Sequence, residues 1–143
     1  VDFTITSYTP GFRPAVTLPT KEIFALLGEG GIRKMVSDHY DLLVESEIKH
    51  LFPKNPIALE KAKENSADFF IQICGGPPYF NQNRGKPQLF QRHLPFKINA
   101  EGREVWLNCY KPVLQKMDLP PDVLLSFWNY IEVFSKWMVN SLK

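Results

Sequence analysis

Two prolines, Pro87 and Pro95, fix the shape of the stretch KPQLFQRHLPFKI over residues 86–98. Pro87 suits the first helical position, where its missing N–H would be unpaired in any case. Pro95 disfavours helix at Leu94, so the helix stops at about His93. Leu89 and Phe90 precede His93 by four and three residues and therefore share its face. A short, proline-bracketed helix presents an imidazole from an apolar surface. Two chemistries suit such a histidine. It can be a buried or half-buried side chain paired with a backbone carbonyl, or the axial ligand of a metal cofactor large enough to use the aromatics found elsewhere. The local residues leave both open.

The same punctuation divides the rest of the chain. Residues 1–19 alternate briefly as VDFTIT and then carry Pro10, Gly11, Pro14 and Pro19, which reads as an extended arm held down by Phe3, Tyr8 and Phe12. Thr20 is the expected N-cap of a short helix, KEIFALL, stopped at Gly28. A second helix begins near Gly30–Gly31 and runs to about Glu45, with Ile32, Met35, Val36, Tyr40 and Leu43 as its apolar stripe. His39 lies in that stripe too. A buried Tyr40 needs a partner for its hydroxyl, either a carbonyl or a ligand.

The corner HLFPKNPIAL places Phe52 at a bend. Asn55 as N-cap and Pro56 at the first position open a third helix ending near Cys74. Its inner face reads Leu59, Ala62, Ser66, Phe69, Phe70 and Ile73; Glu60, Lys61, Lys63, Glu64 and Asp68 form the solvated face. The small residues Ala62 and Ser66 allow either close helix packing or room for a planar ligand. GGPP then halts the helix, and a polar loop, YFNQNRG, leads to His93. Asn99 caps a helix over about Ala100–Met117 that turns Trp106, Cys109, Tyr110, Val113 and Met117 inward and contains Pro112. The last helix follows Pro120–Pro121, ends near Leu142 and presents Leu124, Phe127, Trp128, Ile131, Phe134 and Met138. The fold class is all-α.

Composition narrows the function classes. A chain of 143 residues with 44% hydrophobic and 22% charged content is expected to form one soluble domain. Its net charge of +2 is scattered rather than gathered into a nucleic-acid stripe. Neither a membrane-length apolar run nor a signal-peptide layout is present, which points to a cytoplasmic protein without a membrane partner. Cys74 and Cys109 lack CxxC or CxxCH spacing, which argues against a cysteine zinc site or covalent haem attachment; both are expected to be buried free thiols. Three histidines are few for a multi-histidine metal site, and His50 reads as a capping or surface residue. P-loop, GxGxxG, HExxH and GxSxG patterns are missing.

Several rare pieces nevertheless occur together: HYDLL with Tyr40, LFP with Phe52, GGPPYF at Gly75–Phe80, RGKPQLFQRHLPFKI through His93, REVWLNC with Trp106, and SKWMVN near the end. On these, the chain from about Glu22 to Asn140 resembles a truncated haemoglobin of the bacterial type, most like the second group. The resemblance implies a two-over-two helical sandwich over residues 20–143, with residues 1–19 as an N-terminal extension, around non-covalently held haem b. His93 matches the proximal iron ligand of a pentacoordinate site. Tyr40 and Trp106 match the distal donors to a bound ligand. Phe52 matches the aromatic residue on the haem at the inter-helix corner. Arg92 matches a basic residue that can pair with a propionate, with Arg84 and Lys86 as weaker candidates. Ala62, Ser66, Phe69, Phe70, Leu89 and Phe96 complete the implied lining. The implied ligands are O2, NO, CO, cyanide or peroxide; an unidentified reductase would supply electrons to a monomer or homodimer.

Two buried donors beside a ligand that draws electron density make charge-assisted hydrogen bonds worth about 1.5–3 kcal/mol each. They favour O2 retention and redox chemistry, such as nitric oxide dioxygenation or peroxide reduction, over O2 delivery. A gas sensor or carrier without turnover and a haem-free interaction module are the competing expectations. The sequence also departs from the family pattern. The segment between Pro53 and Gly75 is slightly long, so the register of Ala62 and Ser66 is counted back from Gly75. Ser66 stands where an apolar residue is usual. His39 stands where Phe is common, expected either to pack behind the pocket or to influence ligands directly or through water. The arm before Thr20 exceeds what the core needs.

Overall fold

A computed structural model describes residues 1–143. Six helices form: α1 (Glu22–Leu43), α2 (Pro56–Ile73), α3 (Tyr79–Arg84), α4 (Leu89–His93), α5 (Ala100–Gln115) and α6 (Pro121–Met138), with a 3₁₀ turn at Lys49–Leu51 and no strand. α1 packs on α2, α5 on α6, and α1 lies against α5, which is the expected two-over-two arrangement. The short α4 packs on α6, and α3 on α2. No helix is long and apolar enough to cross a membrane.

Local chemistry explains most boundaries. Asn55 accepts from the N–H groups of Ile57 and Ala58, with Pro56 in the first position, and Asn99 accepts from Gly102 at 2.8 Å. At Gly28 the backbone takes φ 67° and ψ −178°, a non-helical conformation that breaks α1 into the two helices expected on either side of it. Gly75 has φ 104°, and a Cβ there would lie 2.8 Å from the Cβ of Lys21. A larger residue at Gly75 would therefore force the end of α2 away from the start of α1.

Several boundaries differ from the sequence reading. Lys21, not Thr20, flanks α1; the Thr20 hydroxyl accepts only the Glu22 N–H, at 3.3 Å. The polar stretch after GGPP is not a loop but α3, held by buried Phe80 and by paired bonds between Gln72 and Asn81 of 3.0 and 3.1 Å. α4 begins at Leu89, after Gln88 in a left-handed conformation (φ 41°, ψ 52°), so Pro87 lies ahead of the helix rather than at its first position. α1, α5 and α6 end at Leu43, Gln115 and Met138, each a few residues early. Phe3 is buried against Trp128 as the arm reading expects, but Phe12 is exposed. Cys74 is buried and Cys109 only half-buried; both are free.

The core is aromatic, with Phe70, Tyr110, Phe127 and Trp128 among its buried members. Two charged hubs border it. Arg103 of α5 donates to the Glu132 carboxylate and carbonyl at 2.8 Å, to Ser135 at 2.9 Å and to the Thr6 carbonyl at 2.9 Å, so the arm is tied to α5 and α6. Asp68 is buried rather than on the solvated face of α2. It accepts from Arg33 at 2.9 Å, Arg84 at 2.8 Å and Asn83 at 3.3 Å. Burial alone would raise the Asp68 carboxyl, yet these donors outweigh it and hold its pKa below the ordinary value.

Candidate functional site

Pro95 ends α4 within a turn of His93, and the local fold then decides the histidine's chemistry. His93 is half-buried, and its Nδ1–H donates to the Leu89 carbonyl at 2.7 Å. That bond places the proton on Nδ1 and leaves the Nε2 lone pair available. Burial lowers the His93 pKa, with the Leu89 carbonyl opposing, so the ring is held neutral as a ligand requires. The carbonyl-paired reading of the sequence is thus observed, and the pairing leaves the second ring nitrogen without a protein partner. Asn140 fixes the segment beyond it. Its side chain donates to the carbonyls of His93 at 3.2 Å and Phe96 at 2.8 Å and accepts from Ile98 N–H at 2.9 Å. That clasp was not singled out from the sequence, because its partners lie more than forty positions away.

A second group of side chains gathers on α1, α2 and α5. Tyr40 meets Phe52 edge-on at 5.5 Å. Burial raises the Tyr40 phenol pKa, opposed by the nearby Ser66 hydroxyl, so the phenol stays a protonated donor. Three tryptophans give a useful contrast. The indole N–H groups of Trp128 and Trp137 donate to the carbonyls of Thr4 at 2.9 Å and Pro14 at 2.8 Å. That of half-buried Trp106 has no acceptor within the protein. Trp106 packs against Tyr110 at 5.0 Å and Phe134 at 6.4 Å. His39 is 1% exposed, donates through Nε2–H to the Trp106 carbonyl at 3.0 Å and stacks on Tyr110 at 3.5 Å.

The other candidates divide. Phe69 and Phe70 are buried in the aromatic cluster, while Ala62, Ser66 and Leu89 are half-buried. Phe96, expected in the lining, is exposed. Arg92 donates from Nε to the Pro87 carbonyl at 2.6 Å and from Nη2 to the carbonyls of Arg84 and Lys86 at 2.9 Å, bracing the turn before α4. Arg84 is committed to Asp68.

The family model described as bacterial-like globin matches residues 22–140. The chain belongs to the bacterial-like globin family. It is 28% identical over 118 residues to the group 2 truncated haemoglobin YjbI of Bacillus subtilis, covering 82% of this chain and 87% of that protein. The crystal structure of phosphate-bound Hell's gate globin IV matches with a TM-score of 0.89 at 37% identity, over 98% of this chain and 88% of that one. A truncated oxygen-avid haemoglobin from Bacillus subtilis matches with a TM-score of 0.75 at 28% identity, over 82% and 98% respectively. Membership implies haem and diatomic gas binding at the coarse level of the family.

The residues of this globin fit a haem. His93 offers one bare nitrogen, and no group of three or more His, Cys, Asp or Glu is placed to hold a metal ion by protein ligands alone. A single imidazole would suit an iron whose remaining ligands come mainly from a macrocycle rather than from the protein.

Proposed function

We propose that this globin holds haem b non-covalently through His93, in a pentacoordinate state, and serves O2, NO or peroxide redox chemistry rather than bulk O2 transport. The observation that carries the reading is the 2.7 Å bond from His93 Nδ1–H to the Leu89 carbonyl, which readies Nε2 for iron. Haem, when bound, supplies reversible coordination of diatomic ligands and one-electron chemistry. Tyr40 and Trp106 do the rest as donors. A phenol and an indole N–H aimed at a ligand bearing negative charge slow its escape, and they stabilise charge that develops on it. The oxygen-avid haemoglobin of Bacillus subtilis, similar in fold, is consistent with retention. CO and cyanide would compete for the same coordination position. A cytoplasmic setting, a separate reductase and a monomer or homodimer complete the proposal.

Reconstitution with haemin tests it. A Soret band that is present in the wild type and lost in His93→Ala is expected; its absence from wild type would sink the reading. Mixing the O2-loaded protein with nitric oxide in the presence of excess O2 and a one-electron reductant, and separately with peroxide and a reductant, should give multiple turnovers. Binding without turnover would leave a carrier or sensor instead.

A further inference from the structure

We propose that His39 is a positioning residue: its Nε2–H bond to the Trp106 carbonyl ties α1 to α5 and fixes the Trp106 indole relative to Tyr40. The inference deepens the haem reading and rests on it for its functional consequence. A backbone carbonyl only accepts, so the proton must sit on Nε2 and the tautomer is set. The carbonyl has a second lone pair and can take this bond beside its helical one. Three ring contacts hold the imidazole. It stacks on Tyr110 at 3.5 Å and 19°, meets Trp106 edge-on at 5.1 Å, and meets Tyr40 edge-on at 6.4 Å. The residue before one donor is thereby bonded to the backbone of the other. A phenylalanine would keep the ring packing but could not donate, leaving α5 free to shift along α1. Burial lowers the His39 pKa to about 3, so this donor keeps one protonation state at any ordinary pH.

The test reads Trp106 itself. Protein labelled with 5-fluorotryptophan gives three fluorine resonances, with that of Trp106 assigned by its loss in Trp106→Phe. Trp128 and Trp137, bonded to Thr4 and Pro14, serve as internal references. One sharp Trp106 line is expected in wild type and in His39→Gln, whose amide can still donate. In His39→Phe that line should split or broaden while the reference lines stay put. An unmoved, single Trp106 line in His39→Phe overturns the proposal. Nitrogen NMR of the wild-type histidines needs no variant: an exchange-protected Nε2–H at His39 is expected, and an Nδ1–H tautomer overturns the proposal. With haem loaded, O2 release should be about 5-fold faster in His39→Phe and restored in His39→Gln, the size of one net hydrogen bond. Failure of the wild type to take up haem would remove the haem reading, while both NMR readouts would still decide the role of His39.

Discussion

The Nδ1–H of His93 is bound to the carbonyl of Leu89, one helical turn earlier, at 2.7 Å. The imidazole is thus aimed by its own helix and not by a distant side chain. Free imidazole can replace the lost ligand only if the cavity survives, which makes His93→Gly informative. We expect haem affinity to fall by more than the roughly 10–100-fold seen when an outer-shell partner is lost, and millimolar imidazole to restore the Soret band. Spectral titration with haemin measures both; full-affinity binding without imidazole would place the iron ligand elsewhere.

Tyr40 and Trp106 differ in how their donors are held. The Ser66 hydroxyl lies beside the Tyr40 phenol, whereas the Trp106 indole N–H has no protein acceptor. Each of Tyr40→Phe and Trp106→Phe should speed O2 dissociation by about one to two orders of magnitude, as expected for loss of a charge-assisted bond of about 1.5–3 kcal/mol. Because the two would share one ligand, the double variant should fall short of the product of the single effects. Stopped-flow O2 release checks this, and unchanged rates in both single variants would exclude the two side chains as ligand donors.

The helices were legible where their signals are local. Asn55 with Pro56, and Asn99, announce the starts of α2 and α5 because a cap satisfies N–H groups within three residues. α3 was missed because no capping side chain opens it; it depends on burying Phe80 and on pairing with Gln72 of α2. Asp68 was placed in water because polarity alone suggested it, while its partners Arg33 and Arg84 are remote in sequence. Arg103 is buried for the same long-range reason, through Glu132 and the arm. The bonds from Arg92 to the carbonyls of Arg84, Lys86 and Pro87 are likewise not legible from residue type, because they depend on how the turn before α4 folds back. The setting of His93 was legible because proline spacing and the i−4 carbonyl both act within the stretch itself.

Asn140 holds the chain that leaves His93 by three side-chain hydrogen bonds, to His93, Phe96 and Ile98. Asn140→Ala should lower stability by about 1–3 kcal/mol, because it strands backbone groups that now have partners. It should also speed haem loss, since the carbonyl of His93 itself is released. Asn140→Asp keeps an acceptor for Ile98 but loses both donations, so it should fall between wild type and Asn140→Ala. Urea unfolding and transfer of haem to an acceptor globin measure the two effects, and equal haem retention in all three proteins would show that the clasp does not steady the proximal segment.

His39 makes an acid-sensitivity prediction whose sign follows from burial. Its pKa is lowered to about 3, against about 6.5 for an exposed histidine. The rings of Tyr40, Trp106 and Tyr110 pack against it, and the Trp106 carbonyl takes its Nε2–H. Between those two pH values the unfolded chain holds a proton that the native protein does not, so acid favours unfolding. The stabilising contribution is complete above pH 6.5 and drains away as the pH falls toward 3. Asp68 and Glu132, whose pKa values are lowered by their donors, add their own loss in the more acidic part of that range. His39→Phe cannot titrate, so the stability difference between wild type and variant should narrow or reverse on acidification, by on the order of 3–5 kcal/mol across the whole window. Urea unfolding at a series of pH values separates this from the carboxylates, which both proteins share; parallel curves from pH 6.5 to 4.5 would mean that His39 is protonated in the folded protein after all.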